Sequence, residues 1–421
     1  MTTSPFYHRR RSCRLCESTQ IDCVFEFEPS ALAEWYYPPE RADEAADVFP
    51  MDLFLCRSCG HVQLLDVIDP VRLFSCYQYT SASSPGLEAH FQRYAKQVVE
   101  KLSLPAGSLV LDVGSNDGTL LRQFAGHQMR VVGIDPATDL ARAATAAGIP
   151  TLNAFMDAPT ARRVVSEFGP VKVCTANNVF AHNDALGNMA TAIGSLLADD
   201  GVFVFEVSYL LDTVQGLVFD FVYHEHLCYH SVKPMDAFLR RHGMHLVDVE
   251  RVPSKGGSIR GFAQKIGGPR PVSPRVAELI AVEEAAGLYD PSTYQTFRAR
   301  VDGLRDQTVS FLQQARAKGA TIAGYGASAT VTTLMYHFKL GKLIDFLVDD
   351  NPLRHGTVSP GFRVPVYHPD TLYSKRPEIV IILAWRFAPA IMQNHARFQQ
   401  EGGTFVVPVP AFQKTQRRLA A

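Results

Sequence analysis

Three histidines lie close together in one short stretch of the sequence, which reads Tyr-His-Glu-His from Tyr223 to His226 and continues to His230. An imidazole titrates near neutral pH and can act as a general base, a carboxylate can orient it, and a phenol can donate to a developing oxyanion. We assign the base to His226, the orienting carboxylate to Glu225 and the donor to Tyr223. The alternatives are that His224 and His226 bind a metal ion, or that the stretch is a polar surface loop.

Four of the eight cysteines form two pairs, each with a two-residue gap. Two such pairs provide the tetrahedral set of four thiolates that a structural Zn²⁺ prefers, and Gly60 is the small residue that a tight knuckle needs. Redox use of either pair, or four unrelated buried cysteines, are the alternatives, although neither pair lies in a thioredoxin-like context. The predicted zinc ligands are Cys13, Cys16, Cys56 and Cys59.

From Ser108 the sequence alternates between strands and helices, which is typical of a mostly parallel α/β sheet. The first strand leads directly into Gly114-Ser-Asn-Asp-Gly118, a turn that lets the backbone approach a ligand at a helix N-terminus. The second strand ends in Asp135, about 20 residues further on, where a carboxylate can bind ribose hydroxyls. These features predict an adenosine-type cofactor bound by Asp112, Gly114, Asn116, Asp117, Gly118, Asp135, Asn177 and Asn178.

Two details favour S-adenosylmethionine (SAM) over NAD as that cofactor. Asn116 stands where a dinucleotide fingerprint has a glycine. Later strands, at Met244 to Val252 and Ser258 to Ile266, would form a reversed hairpin as in SAM-dependent methyltransferases, whereas a dinucleotide domain would continue parallel. The end of the fourth strand places His182 on the same rim of the sheet, so we expect this histidine to face the methyl donor.

A second α/β unit follows a helical bridge at residues 272–318. It begins with Gly324-x-Gly326-x-x-Ala329 and has Asp349 at the end of its next strand, which resembles a nucleotide-binding turn. The unit is either a degenerate copy, which holds part of a substrate or has only a packing role, or an NAD-binding domain.

The chain has 421 residues, a length that predicts about three structural units. We place them at residues 1–75, 76–270 and 271–421. Lys and Arg total 41 and Asp and Glu total 42, a balance that disfavours a nucleic-acid partner. The longest apolar run, Ile379 to Trp385, is too short to span a membrane, and the first residues lack the apolar core of a signal peptide. We expect a cytoplasmic protein with no membrane partner, and the oligomeric state stays open, a monomer included.

The order of motifs resembles the family of SAM-dependent sugar C-methyltransferases, which act on TDP-linked 4-keto-deoxysugars destined for antibiotic side chains. These motifs are CxxC…CxxC, a linker rich in tyrosine and serine, DxGSNDG, NNVxAH, YHEH, GGSxR and a late GAS…VDDNP. The resemblance implies a class I, Rossmann-like SAM methyltransferase domain between a small zinc-binding domain and a C-terminal Rossmann-like domain. It also implies that the sugar lies between the last two domains and is methylated at C-3.

The resemblance also implies which residues line the reaction site, when the family's motifs are matched to this sequence. They are Tyr223, Glu225, His226 and His182, together with one linker tyrosine, Tyr77 or Tyr79. Two departures concern the substrate: Lys255 stands where similar sequences often have His, and Ala-Thr-Val follows Ser328 where they tend to have Lys-Gly-Asn. The alternative functions are a sugar O-methyltransferase, a zinc-containing nucleic-acid-binding module and an NAD oxidoreductase. The predicted substrate contacts are Lys255, Ser258, Arg260, Tyr325 and Ser328.

Overall fold

A computed structural model describes residues 6–45, 47–74 and 86–415. The predicted linker tyrosines Tyr77 and Tyr79 therefore lie outside the described residues. We refer to the N-terminal segment (6–74), the central segment (86–270), the helical segment (271–319) and the C-terminal segment (320–415).

The N-terminal segment is built from short antiparallel strands. Its largest sheet has four strands in the order β13-β6-β5-β2, and the outermost, β13 (Cys228–Tyr229), comes from the central segment. The stretch that contains the predicted base is thereby joined to the N-terminal segment. Its own elements are β1 (Tyr7–Arg9), β2 (Ile21–Phe25), β3 (Ser30–Ala31), β4 (Val48–Phe49), β5 (Leu53–Cys56), β6 (Val62–Leu64), β7 (Asp66–Ile68) and α1 (Pro70–Phe74).

The central segment forms a seven-stranded sheet in the order β10-β9-β8-β11-β12-β15-β14. The first five strands are parallel, and β15 runs antiparallel to both of its neighbours. This is the predicted class I methyltransferase sheet with its reversed hairpin. In chain order the elements are α2 (Leu87–Leu102), β8 (Leu109–Val113), α3 (Thr119–Gly126), β9 (Arg130–Ile134), α4 (Thr138–Ala146), β10 (Thr151–Leu152), α5 (Ala158–Phe168), β11 (Val171–Asn177), α6 (Leu186–Leu196), β12 (Leu197–Ser208), α7 (Leu210–Gln215), β13, α8 (Val232–Arg241), β14 (Met244–Val252) and β15 (Ser258–Lys265).

The C-terminal segment has a six-stranded sheet in the order β18-β17-β16-β19-β20-β21, which is parallel except for the last strand. Two helices of the helical segment precede it, and each begins after a side chain that caps its first turn. The elements are α9 (Pro274–Ala285), α10 (Pro291–Ala317), β16 (Ile322–Tyr325), α11 (Ala329–His337), β17 (Phe346–Val348), β18 (Val366–Tyr367), α12 (Thr371–Lys375), β19 (Ile379–Ile382), α13 (Ala388–Asn394), α14 (Ala396–Gln400), β20 (Thr404–Val407) and β21 (Gln413–Lys414).

One hydrophobic core crosses the segment boundaries. Phe25 of the N-terminal segment, Phe219 of the central segment and Leu334 of the C-terminal segment are all fully buried members of it. Because apolar side chains from three segments share one core, the loops between the sheets are held by packing as well as by hydrogen bonds. No helix within residues 6–45, 47–74 and 86–415 is long and apolar enough to cross a membrane.

Candidate active site

The four paired cysteines lie close enough together to bind one ion. The Sγ atoms of Cys13 and Cys59 are 3.7 Å apart, those of Cys16 and Cys56 are 3.5 Å apart, and all four lie within 4.8 Å of one another. Tetrahedral zinc with Zn–S bonds of about 2.3 Å separates its sulfurs by about 3.8 Å, so this set fits zinc. Among the described residues it is the only cluster of three or more potential metal ligands.

Main-chain turns shape both cysteine pairs. The Glu17 N–H donates to the Cys13 carbonyl at 2.9 Å, and the Gly60 N–H donates to the Cys56 carbonyl at 2.8 Å. Gly60 has φ of +80°, and a Cβ at this position would overlap the ring of Tyr289. A glycine is therefore required both by the turn and by the packing against the helical segment.

The predicted cofactor turn connects the ends of β8 and β9. The Gly114 N–H donates to the Ile134 carbonyl at 2.7 Å. The Asp135 carboxylate accepts from the Asn116 N–H at 2.8 Å and from the Ala137 N–H at 2.9 Å. Gly114 has φ of +68°, and a Cβ there would overlap the side chain of Val179. The acid and the glycine therefore fix the turn and leave open space above it.

A cavity of about 520 Å³ lies at this edge of the central sheet, where the strand ends of an open α/β sheet bind ligands. Both polar atoms of the Asn177 side chain are buried, and neither has a well-formed hydrogen bond among the described residues. A glycine, a carboxylate and an amide at one edge of the sheet fit the adenosyl and amino-acid parts of SAM. Of the predicted cofactor residues, the cavity is lined by Gly114, Asn116, Asp135, Asn177 and Asn178.

The other three predicted cofactor residues do not line the cavity. Asp112 is buried behind the turn, where it accepts from the Thr175 hydroxyl at 2.6 Å and where burial raises its pKa to about 7. Asp117 accepts from the Thr119 N–H at 3.0 Å at the start of α3, and Gly118 precedes that helix with φ of +77°. Their contacts support the turn.

The cavity is also lined by Phe155, Met156 and Asp157, which were not predicted from the sequence. Phe155 is 42% exposed and lines the cavity together with Asp135. These residues follow β10, a strand of only two residues whose apolar pattern is too short to identify. The parallel α/β order would have predicted a strand end here, and hence a ligand contact.

His226 lines the same cavity. Its Nδ1 lies 2.8 Å from the carbonyl oxygen of Phe221. A carbonyl only accepts hydrogen bonds, so Nδ1 carries the proton and Nε2 is the basic nitrogen. Burial lowers the pKa of His226 to about 4, so this imidazole is neutral at physiological pH.

His182 and Tyr223 flank His226. The His182 ring centroid is 4.9 Å from that of His226, and the Tyr223 ring centroid is 4.0 Å from it. The buried Nε2 of His182 has no hydrogen-bond partner among the described residues. Burial lowers the pKa of His182 and raises that of Tyr223, so the phenol keeps its proton. The structure thus brings three of the predicted catalytic residues together.

The main chain holds one nitrogen of the His226 ring, and the orienting role predicted for Glu225 stays a prediction. Glu225 is only 5% exposed, but the acceptor for the His226 Nδ1 proton is the carbonyl of Phe221. The negative charge of Glu225 acts on Lys255, whose pKa it raises against the lowering effect of burial, and on the Tyr223 phenol.

Lys255 lines the cavity from a strained turn between β14 and β15. It has φ of 51° and ψ of 32°, a left-handed conformation that is costly for a residue other than glycine. The preceding Ser254 hydroxyl donates to the buried Glu206 carboxylate at 2.7 Å, which anchors the turn. Burial lowers the pKa of Lys255, and its charge in turn lowers the pKa of both His182 and His226.

Ser258 and Arg260, predicted as substrate contacts, are buried in the sheet and do not line the cavity. The Arg260 guanidinium donates to Glu206 at 2.8 Å and to Gln97 at 2.9 Å, and it lies over the Tyr94 ring at 4.0 Å. The Ser258 hydroxyl donates to the Ser254 carbonyl at 3.0 Å. Both residues support the turn that presents Lys255.

The two predicted contacts of the C-terminal segment also lie outside the cavity lining. The Tyr325 hydroxyl donates to the Asp350 carboxylate at 2.8 Å, and Ser328 precedes α11, where its carbonyl accepts from the Tyr36 hydroxyl at 3.3 Å. Phe74 and Leu87, on either side of the undescribed linker, both line the cavity.

Comparisons with known proteins cover almost the whole chain. The family described as "Putative zinc binding domain" matches residues 13–74, "Methyltransferase domain" matches residues 87–249, and "C-methyltransferase C-terminal domain" matches residues 253–410. The C-methyltransferase NovU of Streptomyces niveus is 33% identical over 399 residues, which are 94% of this chain and 95% of that protein. The chain belongs to the C-methyltransferase family.

Solved methyltransferases match part of this C-methyltransferase. The CcbJ methyltransferase from Streptomyces caelestis is 13% identical with a TM-score of 0.35, covering 44% of this chain and 94% of that one. The magnesium protoporphyrin IX methyltransferase from Synechocystis, with bound S-adenosylhomocysteine, is 16% identical with a TM-score of 0.33, covering 43% and 83%.

The family, the sheet order and the cysteine cluster confirm the predicted enzyme class. The protein is a SAM-dependent C-methyltransferase, and its N-terminal zinc-binding region contains the four cysteines.

Proposed function

We propose that this C-methyltransferase methylates a carbon next to a ketone, and that its substrate is a TDP-linked 4-keto-deoxysugar methylated at C-3. The observation that carries the proposal is the neutral His226 ring with Nδ1 fixed on a carbonyl and Nε2 free to take a proton. A carbon next to a carbonyl becomes a nucleophile only when its proton is removed, and a positioned base contributes about 10²- to 10⁴-fold to such a step.

In this mechanism His226 Nε2 takes the proton from the carbon next to the ketone. The electron pair moves onto the carbonyl oxygen, and the resulting enolate is stabilised by hydrogen bonds from the Tyr223 phenol and from His182, with the Lys255 ammonium nearby. When bound, SAM supplies an electrophilic methyl carbon on a sulfonium leaving group. The enolate carbon forms the new C–C bond as the methyl–sulfur bond breaks, the electron pair of that bond leaves with the neutral thioether, and the carbonyl is restored.

The sugar and its linkage to TDP are proposed from the family resemblance, as is the division into domains at residues 1–75, 76–270 and 271–421. We also propose that one linker tyrosine, Tyr77 or Tyr79, completes the site. The cavity lining supports this idea, since Phe74 and Leu87, which lie near the two ends of the undescribed linker, contribute to it. A contribution of the C-terminal segment to the TDP site is supported by Arg386, whose charge acts on Lys255.

The test is incubation of the protein with SAM and a panel of TDP-4-keto-deoxysugars, followed by mass spectrometry and NMR of the product. We expect one substrate to gain one methylene, with the new methyl group on C-3. A methyl group on oxygen would assign the protein to sugar O-methylation, and unchanged masses across the panel would refute the sugar substrate.

His226→Asn tests the base directly. We expect it to retain SAM binding by calorimetry and to lose turnover by at least about 100-fold, because asparagine cannot accept the proton. His368→Asn is the control, since His368 lies on the surface of the C-terminal segment with its side chain 60% exposed. Near-normal turnover in His226→Asn would assign the base to another residue.

A further inference from the structure

The loop that precedes the predicted base is held by the C-terminal segment. It begins with a short 3-10 turn, Phe219–Phe221, and all three of these side chains are buried. The Thr333 hydroxyl of α11 donates to the Val222 carbonyl at 2.8 Å. The Phe219 ring stacks on Phe338 at 5.3 Å.

Asp220 is the centre of this contact, and its side chain is completely buried. The indole N–H of Trp385 donates to its carboxylate at 2.9 Å, and the Arg386 guanidinium forms an ion pair with it at 3.1 Å. Trp385 and Arg386 belong to a 3-10 turn that follows β19. A buried carboxylate is costly unless it is paired and hydrogen-bonded, so this interaction restricts the loop to one position.

Phe221 connects that contact to the base. The Arg386 guanidinium lies over the Phe221 ring at 4.4 Å. The main-chain carbonyl of Phe221 accepts the Nδ1–H of His226 at 2.8 Å. The direction of this carbonyl therefore decides which ring nitrogen of His226 carries the proton. A rotated carbonyl would let the proton move to Nε2 and would leave no basic nitrogen facing the cavity.

We infer that Asp220, Trp385 and Arg386 are positioning residues for catalysis, through which the C-terminal segment fixes the tautomer and orientation of His226. This inference rests on the proposed role of His226 as the base. It assigns to the C-terminal segment a function in the proton-transfer step, besides any contact that it makes with substrate.

The test combines two conservative variants with a readout that needs no substrate. Asp220→Asn removes the charge with little change in shape, and Trp385→Phe removes only the indole N–H. Protein with ¹⁵N-labelled histidine is compared by NMR, and the His226 signals are identified by their loss in His226→Asn. Lys339→Met is the control, because it removes an ion pair between the C-terminal and N-terminal segments, Lys339 to Glu28 at 2.7 Å, that lies outside this loop.

We expect wild-type protein and Lys339→Met to show one neutral tautomer of His226, with the proton on Nδ1. In Asp220→Asn and Trp385→Phe we expect a mixture of both tautomers, with kcat reduced by about 10- to 100-fold and SAM affinity within about twofold of wild type. A wild-type tautomer in both variants would overturn the inference.

The NMR result is independent of which ketone is methylated. If no 4-keto-deoxysugar is converted, the proposed substrate fails, while the tautomer measurement still decides whether the C-terminal segment positions His226. If Asp220→Asn does not fold, as judged by circular dichroism, Trp385→Phe decides alone.

Discussion

At the scale of single residues, the site depends on an imidazole that is kept neutral. Burial, together with a smaller effect of the positive charge of Lys255, lowers the pKa of His226 to about 4. The surroundings of Lys255 include the acidic residues Glu34, Glu206 and Glu225, and the cationic Arg386. Burial is the largest influence on the pKa of Lys255 and lowers it, and the three acidic residues partly oppose this effect.

Replacing Lys255 should move the pH dependence of the reaction. His226 must be neutral to accept a proton, so activity rises as pH rises through its pKa. Lys255→Met removes the positive charge that lowers the pKa of His226, so this pKa rises. We therefore expect the acidic limb of the kcat/KM profile to move to higher pH, by about one pH unit.

Two variants serve as comparisons for that measurement. Lys255→Arg retains the charge and should leave the acidic limb in place. Lys233→Met removes an exposed lysine paired with Glu284 and should have no effect on the profile. An acidic limb that stays at the wild-type pH in Lys255→Met would show that the ammonium does not act on the base.

The residue types of this site were predictable from the sequence, but one of the contacts was not. Tyr223, His182 and His226 were identified because unusual polar residues follow strand ends. The acceptor that orients the base is the main-chain carbonyl of Phe221, and a carbonyl has no sequence signature. The carboxylate of Glu225, adjacent in sequence, therefore seemed the better candidate.

At the scale of elements, the turn after β8 needs glycine for two separate reasons. Gly114 has a positive φ, and a Cβ there would overlap Val179, which lines the cavity. In Gly114→Ala we expect the free energy of unfolding to fall by about 1 kcal/mol and SAM to bind at least about 10-fold more weakly, as measured by calorimetry.

The chain offers a matched control for this substitution. Gly148 also has a positive φ, +88°, but no atom lies within 4 Å of the position where its Cβ would be. Gly148→Ala should therefore carry a similar backbone cost and leave SAM affinity unchanged. Equal SAM affinities in the two variants would mean that the steric contact with Val179 has no role in binding.

Most strands of the central sheet could be predicted, because apolar runs and glycine turns lie next to each other in the sequence. The strand Leu109–Val113 was predicted with its observed bounds, and the antiparallel pair at β14 and β15 was identified by two apolar runs joined by glycines. The two-residue strands β10 and β18 have no periodicity to detect.

At the scale of the whole molecule, contacts between residues far apart in sequence escaped prediction. Asp220 and Trp385 are separated by 165 positions, and their hydrogen bond depends on how the C-terminal segment packs against the central one. Spacing rules cannot predict such a pair, since they describe neighbours within one element. The function of the C-terminal segment can therefore be inferred only from the folded structure.

A second contact between the segments predicts how the whole molecule responds to acid. The ring of His337, at the end of α11, lies among the rings of Phe25, Phe27 and Phe219 at centroid distances of 5.4, 4.9 and 5.6 Å. Neither ring nitrogen has a hydrogen-bond partner among the described residues. Burial in this aromatic environment lowers the pKa of His337 to about 3.

The sign of the effect follows from linkage. Below pH 6.5 His337 binds a proton in the unfolded chain but stays neutral in the folded protein. The contribution of neutral His337 to the free energy of unfolding is therefore complete above pH 6.5 and is lost progressively towards pH 3. The loss between pH 6.5 and 4.5 amounts to at most about 3 kcal/mol.

His337→Phe removes this titration and keeps an aromatic ring in the cluster. We expect the unfolding midpoint of the variant, measured in denaturant between pH 7.5 and 4.5, to fall less steeply with acid than that of wild type. His368→Asn, which alters an exposed histidine, should follow the wild-type curve. If the unfolding midpoints of His337→Phe and wild type fell equally with acid, His337 would not titrate while it is buried. Either the contact between the segments would open first, or water would reach His337 first.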